Sequence, residues 1–470
     1  MPDRLEEYLG TVREQVRWKR ARDGATQELR THLLDQRDAY LEQGMDEEAA
    51  IKESVRQMGD PVEVGVALDR VHRPKPQWGL MALVGVLLCM GYGAQLLLRE
   101  VTAVSDPLLS VDFYDSRWIV FAVVGIVIMF VVYLMDFTLL GKHPMGCFVL
   151  GILFLTVVLF TSRKVAGRPF EIQYCLLLAP VMLALLLYGL RGKGWKGLLA
   201  DVGATLALTV LALSIPNVTL AMLICCTGFV LLIISVKRGW MGLSVKKGLA
   251  VLAGLVGMAV LILGFLVMQS IYFRRRFWFA LHPELDPMGR GYHAMVIRSL
   301  LDGAKWIGRG EVTVPGYNPI ERHLPNIQTD SLLTWLIHRL GWAVGIVVIA
   351  SFALLLVWME RKALRQRGML GCLISVAVVS TFAIQVFTYL LFNLGFCLTG
   401  TLPLPFVSYG NAFMVVHMAL IGLALSVFRE ESLPVQNGKL LTTKRMPLSQ
   451  LIFWKDGDLV IGFSRLRQVR

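Results

Sequence analysis

Apolar residues follow two different rhythms along this chain. From residue 1 to about 73 they alternate with charged positions at helical spacing, as in TQELRTHLLDQRDAYLEQGMDEEAAIKESVRQMGDPVEVGVAL, which predicts a small soluble helical domain. Gly44 and the Gly59-Asp60-Pro61 triplet punctuate that domain as helix stops. A basic linker, HRPKP at His72 to Pro76, follows. Beyond it the apolar positions fuse into stretches long enough to cross a bilayer, roughly 78–98, 118–140, 144–162, 173–190, 199–214, 217–236, 248–270, 332–358, 369–392 and 411–428. About ten transmembrane helices are therefore predicted, the short pair between 199 and 236 being separated by Pro216. The fold class expected is an all-α polytopic membrane protein with a small N-terminal soluble helical domain. Its parts are a cytoplasmic prefix and linker (1–77), a transmembrane domain (78–428) and a soluble tail (429–470). In the tail, LIFWKDGDLVIGF predicts a hairpin around Asp456-Gly457.

Composition agrees with this pattern and adds a charge asymmetry. The 470 residues are 55% hydrophobic and 17% charged, with a mean hydropathy of +0.60, which excludes an ordinary soluble domain of this length. Residues 1–77 hold 16 acidic and 13 basic side chains, leaving 18 acidic against 34 basic in the remainder. A basic membrane part suits anionic lipid surfaces or phosphate-bearing lipid substrates, and ordinary positive loops account for part of it. It implies no nucleic-acid partner. The inside loops would hold Lys142, Arg191, Lys193, Lys196, Lys237, Arg238, Lys246, Lys247, Arg361, Lys362, Arg365 and Arg367. Arg163, Lys164 and Arg168 are the exception among the short outside loops, so both termini are expected in the cytoplasm. No cleavable signal peptide is expected at the N-terminus. The seven cysteines lie in or beside apolar runs with no CxxC spacing and read as small hydrophobes.

Two places break the pattern. Between spans 7 and 8, about 271–331, the chain spends some sixty residues rich in Arg, Pro, Gly and His where other connections are short, which marks a working surface. Near the end, PLPFVSYG (Pro403 to Gly410) interrupts regular structure between two apolar runs. Irregular backbone at membrane depth survives only where protein or a water-filled cavity covers it, so a cavity-lining or re-entrant loop is predicted there.

Three segments carry a resemblance: FRRRFWFALHPELDPMGRGYHAMVIRSLLDGAKWIGRGE (Phe273 to Glu311), PNIQTDSLLTWLIHRLGW (Pro325 to Trp342) and LPLPFVSYGNAF (Leu402 to Phe413). In order and on a ten-span scaffold, they resemble the SEDS family of shape, elongation, division and sporulation proteins, the FtsW/RodA/SpoVE group, over roughly residues 80–430. The resemblance implies a peptidoglycan glycosyltransferase that polymerises lipid II at the outer face of the bacterial cytoplasmic membrane, working with a class B penicillin-binding protein as transpeptidase. That chemistry needs a base for the acceptor hydroxyl and positive charge for a departing lipid pyrophosphate. Asp330 matches the acidic residue of the family's Thr-Asp pair and is the catalytic candidate, with helix capping as its bland alternative. Arg309 takes the place of the family's Gly-Lys-Gly lysine, between Gly308 and Gly310. Arg274, Arg275, Arg276, Lys305, Tyr292, Thr329, Ser408 and Tyr409 complete the candidate substrate-binding set. Pro403, Pro405 and Gly410 are read as shaping the bent loop.

The departures from the family pattern are specific. Its Pro-Glu becomes Pro325-Asn326, its His before Thr-Asp becomes Gln328, its EELG becomes His338-Arg339-Leu340-Gly341, its GYQ becomes Gly291-Tyr292-His293, and its second glycine after SYG becomes Asn411. Lost carboxylates leave open whether a divalent cation such as Mg takes part and whether the substrate differs. His282, His293, His323 and His338 show no zinc-ligand spacing and are read as hydrogen-bonding residues. A lipid-linked precursor transporter and a non-catalytic scaffold remain as alternatives. The acidic prefix, which resembles the helical domain ahead of some bacterial permeases, points to a cytoplasmic partner of residues 1–77.

Overall fold

In the computed structural model the described residues are 3–73, 76–105, 112–165, 168–215, 217–269, 271–312, 323–324, 326–398, 400–429, 452–455 and 458–461. Pro216, Pro325, the Asp456-Gly457 turn and most of the tail lie outside them. The chain divides into two compact units, residues 76–429 and the two terminal segments.

In the N-terminal unit, α1 (Asp3–Gln15), α2 (Lys19–Glu42), α3 (Glu47–Met58) and α4 (Pro61–His72) form a bundle around Tyr8, Leu9, Val12, Leu29 and Leu33. The stops read from sequence are present. Gly44 and Gly59 adopt φ of 88° and 90°, and Asp60 caps α4 by accepting from the Val62 N–H at 3.1 Å, with Pro61 at the first helical position. At the other end of the chain, β3 (Ile452–Lys455) pairs antiparallel with β4 (Asp458–Ile461), the hairpin expected there.

The membrane unit begins with α5 (Trp78–Ser105), α6 (Asp112–Leu134), the one-turn α7 (Thr138–Lys142) and α8 (Pro144–Thr161). A two-residue hairpin, β1 (Lys164–Val165) with β2 (Arg168–Pro169), leads to α9 (Ile172–Cys175) and α10 (Ala179–Gly189), fused through a 3₁₀ turn into one span. Then come α11 (Gly194–Ser214), α12 (Val218–Lys237) and α13 (Val245–Gln269). The long connection holds α14 (Ile271–Leu281) and α15 (Tyr292–Asp302), and the chain continues through α16 (Leu332–Leu340), α17 (Trp342–Arg365), α18 (Met369–Asn393) and α19 (Asn411–Arg429). Among the described residues nine segments are long and apolar enough to cross a membrane, and the remaining predicted span coincides with the 25-residue α13. The protein is a multi-pass membrane protein.

One prediction is corrected here. The apolar run 332–358 is not a single span: it breaks at Gly341 into the short α16 and the crossing helix α17. Gly341 has φ 103°, and a Cβ there would sit 2.5 Å from the Trp306 carbonyl oxygen, so only glycine fits. The break docks the preceding loop, with Trp342 N–H donating to the Lys305 carbonyl at 3.0 Å and Ala343 N–H to that of Trp306 at 3.1 Å.

Helix α18 is the buried centre of this unit. Its residues are covered along nearly the whole length by α10, α12, α17 and α19. Below it, Arg238, read from sequence as a loop charge, donates to the carbonyls of Leu364 and Gln366 at 2.9 Å each and so ties α12 to the end of α17.

Candidate active site

Residues 326–330 form a turn immediately ahead of α16. The backbone N–H groups of Thr329 and Asp330 both donate to the Asn326 carbonyl at 2.9 Å. The Asn326 side-chain amide donates to Oδ2 of Asp330 at 2.9 Å. Asp330 therefore sits on a closed turn, partly buried, at the junction between the long connection and the packed helices. Burial raises its carboxyl above the ordinary carboxylate range, while the Asn326 bond pulls the other way. Among the described residues Asp330 makes no ion pair.

The turn is held from behind by its three last carbonyls. Gln328 O accepts from the Tyr409 N–H at 3.0 Å and from Gln95 Nε2 at 3.3 Å. Thr329 O accepts from Ser408 Oγ at 2.8 Å and from the Tyr389 hydroxyl at 3.1 Å. Asp330 O accepts from Asn393 Nδ2 at 2.8 Å. The donors come from α5, α18 and the PLPFVSYG loop, which fixes what that loop does in the fold: it is a clamp on the Asp330 turn.

The clamp is itself anchored. Gln385 Nε2 donates to Pro403 O at 2.7 Å and its Oε1 lies 3.1 Å from His417 Nε2 on α19. On the other flank the loop lies against Gly91 of α5, where a Cβ would come within 2.6 Å of the Phe406 carbonyl oxygen. Phe406 takes φ 66°, a conformation that costs a bulky residue on the order of 1–3 kcal/mol, and buried packing against Phe382 and His417 holds it there. Pro405 and Gly410 carry the short-range bonds that shape the ends of the loop, to Val407 N–H and Met414 N–H at 2.8 Å each.

Sequence reasoning missed Gln385, Tyr389 and Asn393, although their signal was present. They stand four residues apart in TFAIQVFTYLLFN, so they share one face of an otherwise apolar span. Each meets a different point of the clamp or the turn. Asn393 Oδ1 also accepts from the Thr334 N–H at 3.0 Å and hydroxyl at 2.9 Å, which locks α16 to α18.

The predicted substrate-binding residues separate into two groups. Ser408, Tyr409 and Thr329 belong to the clamp and turn. Ser408 is 3% exposed with its hydroxyl on Thr329 O, and the Tyr409 hydroxyl accepts from Asn411 Nδ2 at 3.1 Å. Arg274 and Arg275 lie exposed on α14 beside exposed Phe277 and Trp278, and the Arg276 side chain lies outside the described set. Arg309 is exposed on the loop after α15, and Lys305 pairs with Glu311 at 2.8 Å. Tyr292 bonds His323 Nδ1 at 2.8 Å.

The glycines flanking Arg309 have local causes. Gly308 makes a left-handed turn at φ 88°, and Gly310 packs where a Cβ would lie 2.6 Å from Gly303 O and 2.8 Å from the His338 ring. Both donate their N–H groups to the end of α16, Gly308 to Leu340 O and Gly310 to His338 O. Buried His338 in turn places Nδ1 2.9 Å from Leu300 O. His293 is partly desolvated, which lowers its basicity. Among the described residues no group of three or more His, Cys, Asp and Glu side chains forms a metal-binding set.

Comparison with known proteins gives a consistent assignment. Residues 79–433 match the family model of the FtsW/RodA/SpoVE cell cycle proteins. The chain is 27% identical over 340 residues to stage V sporulation protein E of Bacillus subtilis, covering 67% of this chain and 87% of that protein. It is 31% identical over 231 residues to the peptidoglycan glycosyltransferase MrdB of Escherichia coli, covering 47% of this chain and only 56%, about half, of that relative. A chain in a solved structure described as "Structural coordination of polymerization and crosslinking by a peptidoglycan synthase complex" shares the fold, with a TM-score of 0.57 at 23% identity over 77% of this chain and 99% of the other. The protein belongs to the FtsW/RodA/SpoVE family.

Proposed function

We propose that this protein is a peptidoglycan glycosyltransferase that polymerises lipid II at the outer face of the bacterial cytoplasmic membrane, with both termini in the cytoplasm and a class B penicillin-binding protein as partner. The observation that carries this reading is the Asp330 carboxylate, partly desolvated on a turn whose last three carbonyls are bonded to surrounding elements. The glycosyltransferase names of family relatives support it.

In the proposed step Asp330 takes the proton of the acceptor sugar hydroxyl as that oxygen attacks the anomeric carbon of the donor. The new glycosidic bond forms as the bond from that carbon to the phosphate oxygen breaks, with inversion, and the electron pair leaves on the lipid pyrophosphate. The positive charges of Arg274, Arg275, Arg276 and Arg309 would meet the leaving group or its lipid headgroup, while Lys305 is paired with Glu311.

The test is polymerisation of purified lipid II by the full-length protein, with and without its transpeptidase, comparing wild type with Asp330→Asn. Glycan strands from the wild type alone support the reading. Equal strands from both proteins remove Asp330 from the chemistry, and none from a folded, partnered wild type turns the assignment to transport or scaffolding.

A further inference from the structure

Asn326 does two things at once in the Asp330 turn. Its backbone adopts φ 43°, a left-handed conformation that asparagine tolerates better than most residues, and in that conformation its carbonyl receives both the Thr329 and Asp330 N–H groups. The same residue turns its side-chain amide back onto Oδ2 of Asp330 at 2.9 Å. The backbone function needs only a residue that accepts positive φ. The side-chain function is that of a donor of the right length, and in this chain an amide, neutral at every working pH, stands where the family pattern has Glu.

We propose that Asn326 is a positioning residue for the glycosyl-transfer base: its amide holds Oδ2 of Asp330 so that Oδ1 is presented to the acceptor hydroxyl, and it keeps the base in a site with a single titrating carboxylate. The inference rests on the assignment of Asp330 as that base. An amide donates to an ionised carboxylate without adding charge, whereas a carboxyl in the same place donates only when protonated and otherwise repels. Two carboxyl groups there would titrate as a coupled pair. The surroundings leave room for this assignment. Neither α18 nor residues 394–410 carry any Asp, Glu, Lys or Arg; the Tyr389 phenol donates to Thr329 O, whereas Tyr409 meets the turn through its main-chain N–H and its phenol accepts from Asn411. The Thr329 and Thr401 hydroxyls also face Asp330, and α5 contributes Gln95, with Arg99 and Glu100 one turn beyond it.

The experiment measures kcat, KM and their pH profiles for lipid II polymerisation by the full-length protein with its transpeptidase, in wild type, Asn326→Gly, Asn326→Asp and Asp330→Asn. Glycine keeps the left-handed turn and removes only the amide. The expected result for Asn326→Gly is a fall in kcat of about tenfold with KM within about twofold, and an acidic limb displaced to higher pH, since a bond favouring the ionised base is lost. Asn326→Asp is expected to displace the limb further and to spread it over two proton steps. Wild-type kcat and an unmoved limb in Asn326→Gly overturn the proposal and leave Asn326 a turn residue. Full activity in Asp330→Asn overturns instead the assignment beneath it, so the two failures are distinguishable.

Discussion

The proposed reaction would draw on two regions of this protein, and they are built in opposite ways. At the Asp330 turn the carbonyls of Gln328, Thr329 and Asp330 are each bonded to a neighbouring element, and the side-chain donors Gln95, Tyr389, Asn393 and Ser408 are buried. On the connection that precedes it, Arg274, Arg275 and Arg309 are exposed, and the Lys305 ammonium pairs with an exposed glutamate. A base must be held within a fraction of an ångström of the proton it takes, which demands a rigid and desolvated frame. A mobile lipid pyrophosphate is met by charge, which acts over several ångströms and tolerates flexible side chains. The difference predicts that substitutions at the turn act on kcat and stability, whereas substitutions on the basic surface act on KM and salt dependence.

The largest effect tests the turn directly. Asp330→Asn is expected to lower polymerisation by roughly 10²–10⁴-fold, the ordinary contribution of a general base. The same substitution should raise the melting temperature at neutral pH. Burial places the Asp330 carboxyl above its unfolded value, so its contribution to stability is present at low pH and is lost as pH rises through the folded value. The amide carries no such cost. In the wild type the rate should fall as pH drops through that raised value, above the range of an exposed aspartate. A melting temperature unchanged or lowered in Asp330→Asn would show that the carboxylate is not desolvated in the way described.

Asn393→Leu comes next. It removes the donor to Asp330 O and the acceptor for the Thr334 N–H, leaving polar groups unpaired at about 1–3 kcal/mol each, while the Thr334 hydroxyl keeps the main-chain carbonyl of Asn393 as its acceptor at 3.1 Å. A clear fall in melting temperature and a loss of kcat approaching that of Asp330→Asn are expected, with little change in KM. Ser408→Ala is milder, because Tyr389 still donates to the same carbonyl. About 1 kcal/mol of stability and a severalfold drop in kcat are expected. If Ser408→Ala raised KM alone, the hydroxyl would be touching substrate instead of Thr329.

How much of this was legible in the sequence follows from which residues carried a local signal. The spans, the prefix stops and the hairpin follow from periodicity and glycine placement. Asp330 and the PLPFVSYG break stood out because they contradict their apolar surroundings. The division at Gly341 did not, since LLTWLIHRLGWAVG reads as one hydrophobic run. What makes Gly341 a hinge is the Trp306 carbonyl arriving from a loop 35 positions earlier, a contact with no local trace. Ser408 was readable as a polar tip offered to substrate or to the facing loop, and which of the two it meets depends on the left-handed Phe406 two residues before it. The α18 stripe was readable in principle. Polar residues at a spacing of four inside a span announce a shared face, but the partner of that face is set only by tertiary packing.

On the basic surface the effects shrink. Substituting both Arg274 and Arg275 with alanine should raise KM for lipid II by about tenfold in low salt and by much less in high salt, with kcat held, because exposed charges are screened over roughly 10 Å at 0.1 M salt. A loss of kcat equal to the loss of kcat/KM would instead place these arginines on the transition state.

Lys305→Ala sets the lower bound. Its ammonium lies 2.8 Å from Glu311 Oε1, and that pair holds Glu311 below the ordinary carboxylate range. Both side chains face solvent, where the attraction is offset by hydration and by the side-chain freedom lost in forming it. The loop that carries them is fixed by main-chain bonds, Glu311 N–H to Gly303 O at 2.9 Å and Trp342 N–H to Lys305 O at 3.0 Å, neither of which needs the lysine side chain. Melting temperature and kcat should therefore be unchanged, and KM should move by no more than about twofold. A larger rise in KM in Lys305→Ala, suppressed by salt, would add the lysine to the arginines as a contact for the lipid phosphates; a loss of kcat would mean that the exposed loop reaches the rigid turn after all.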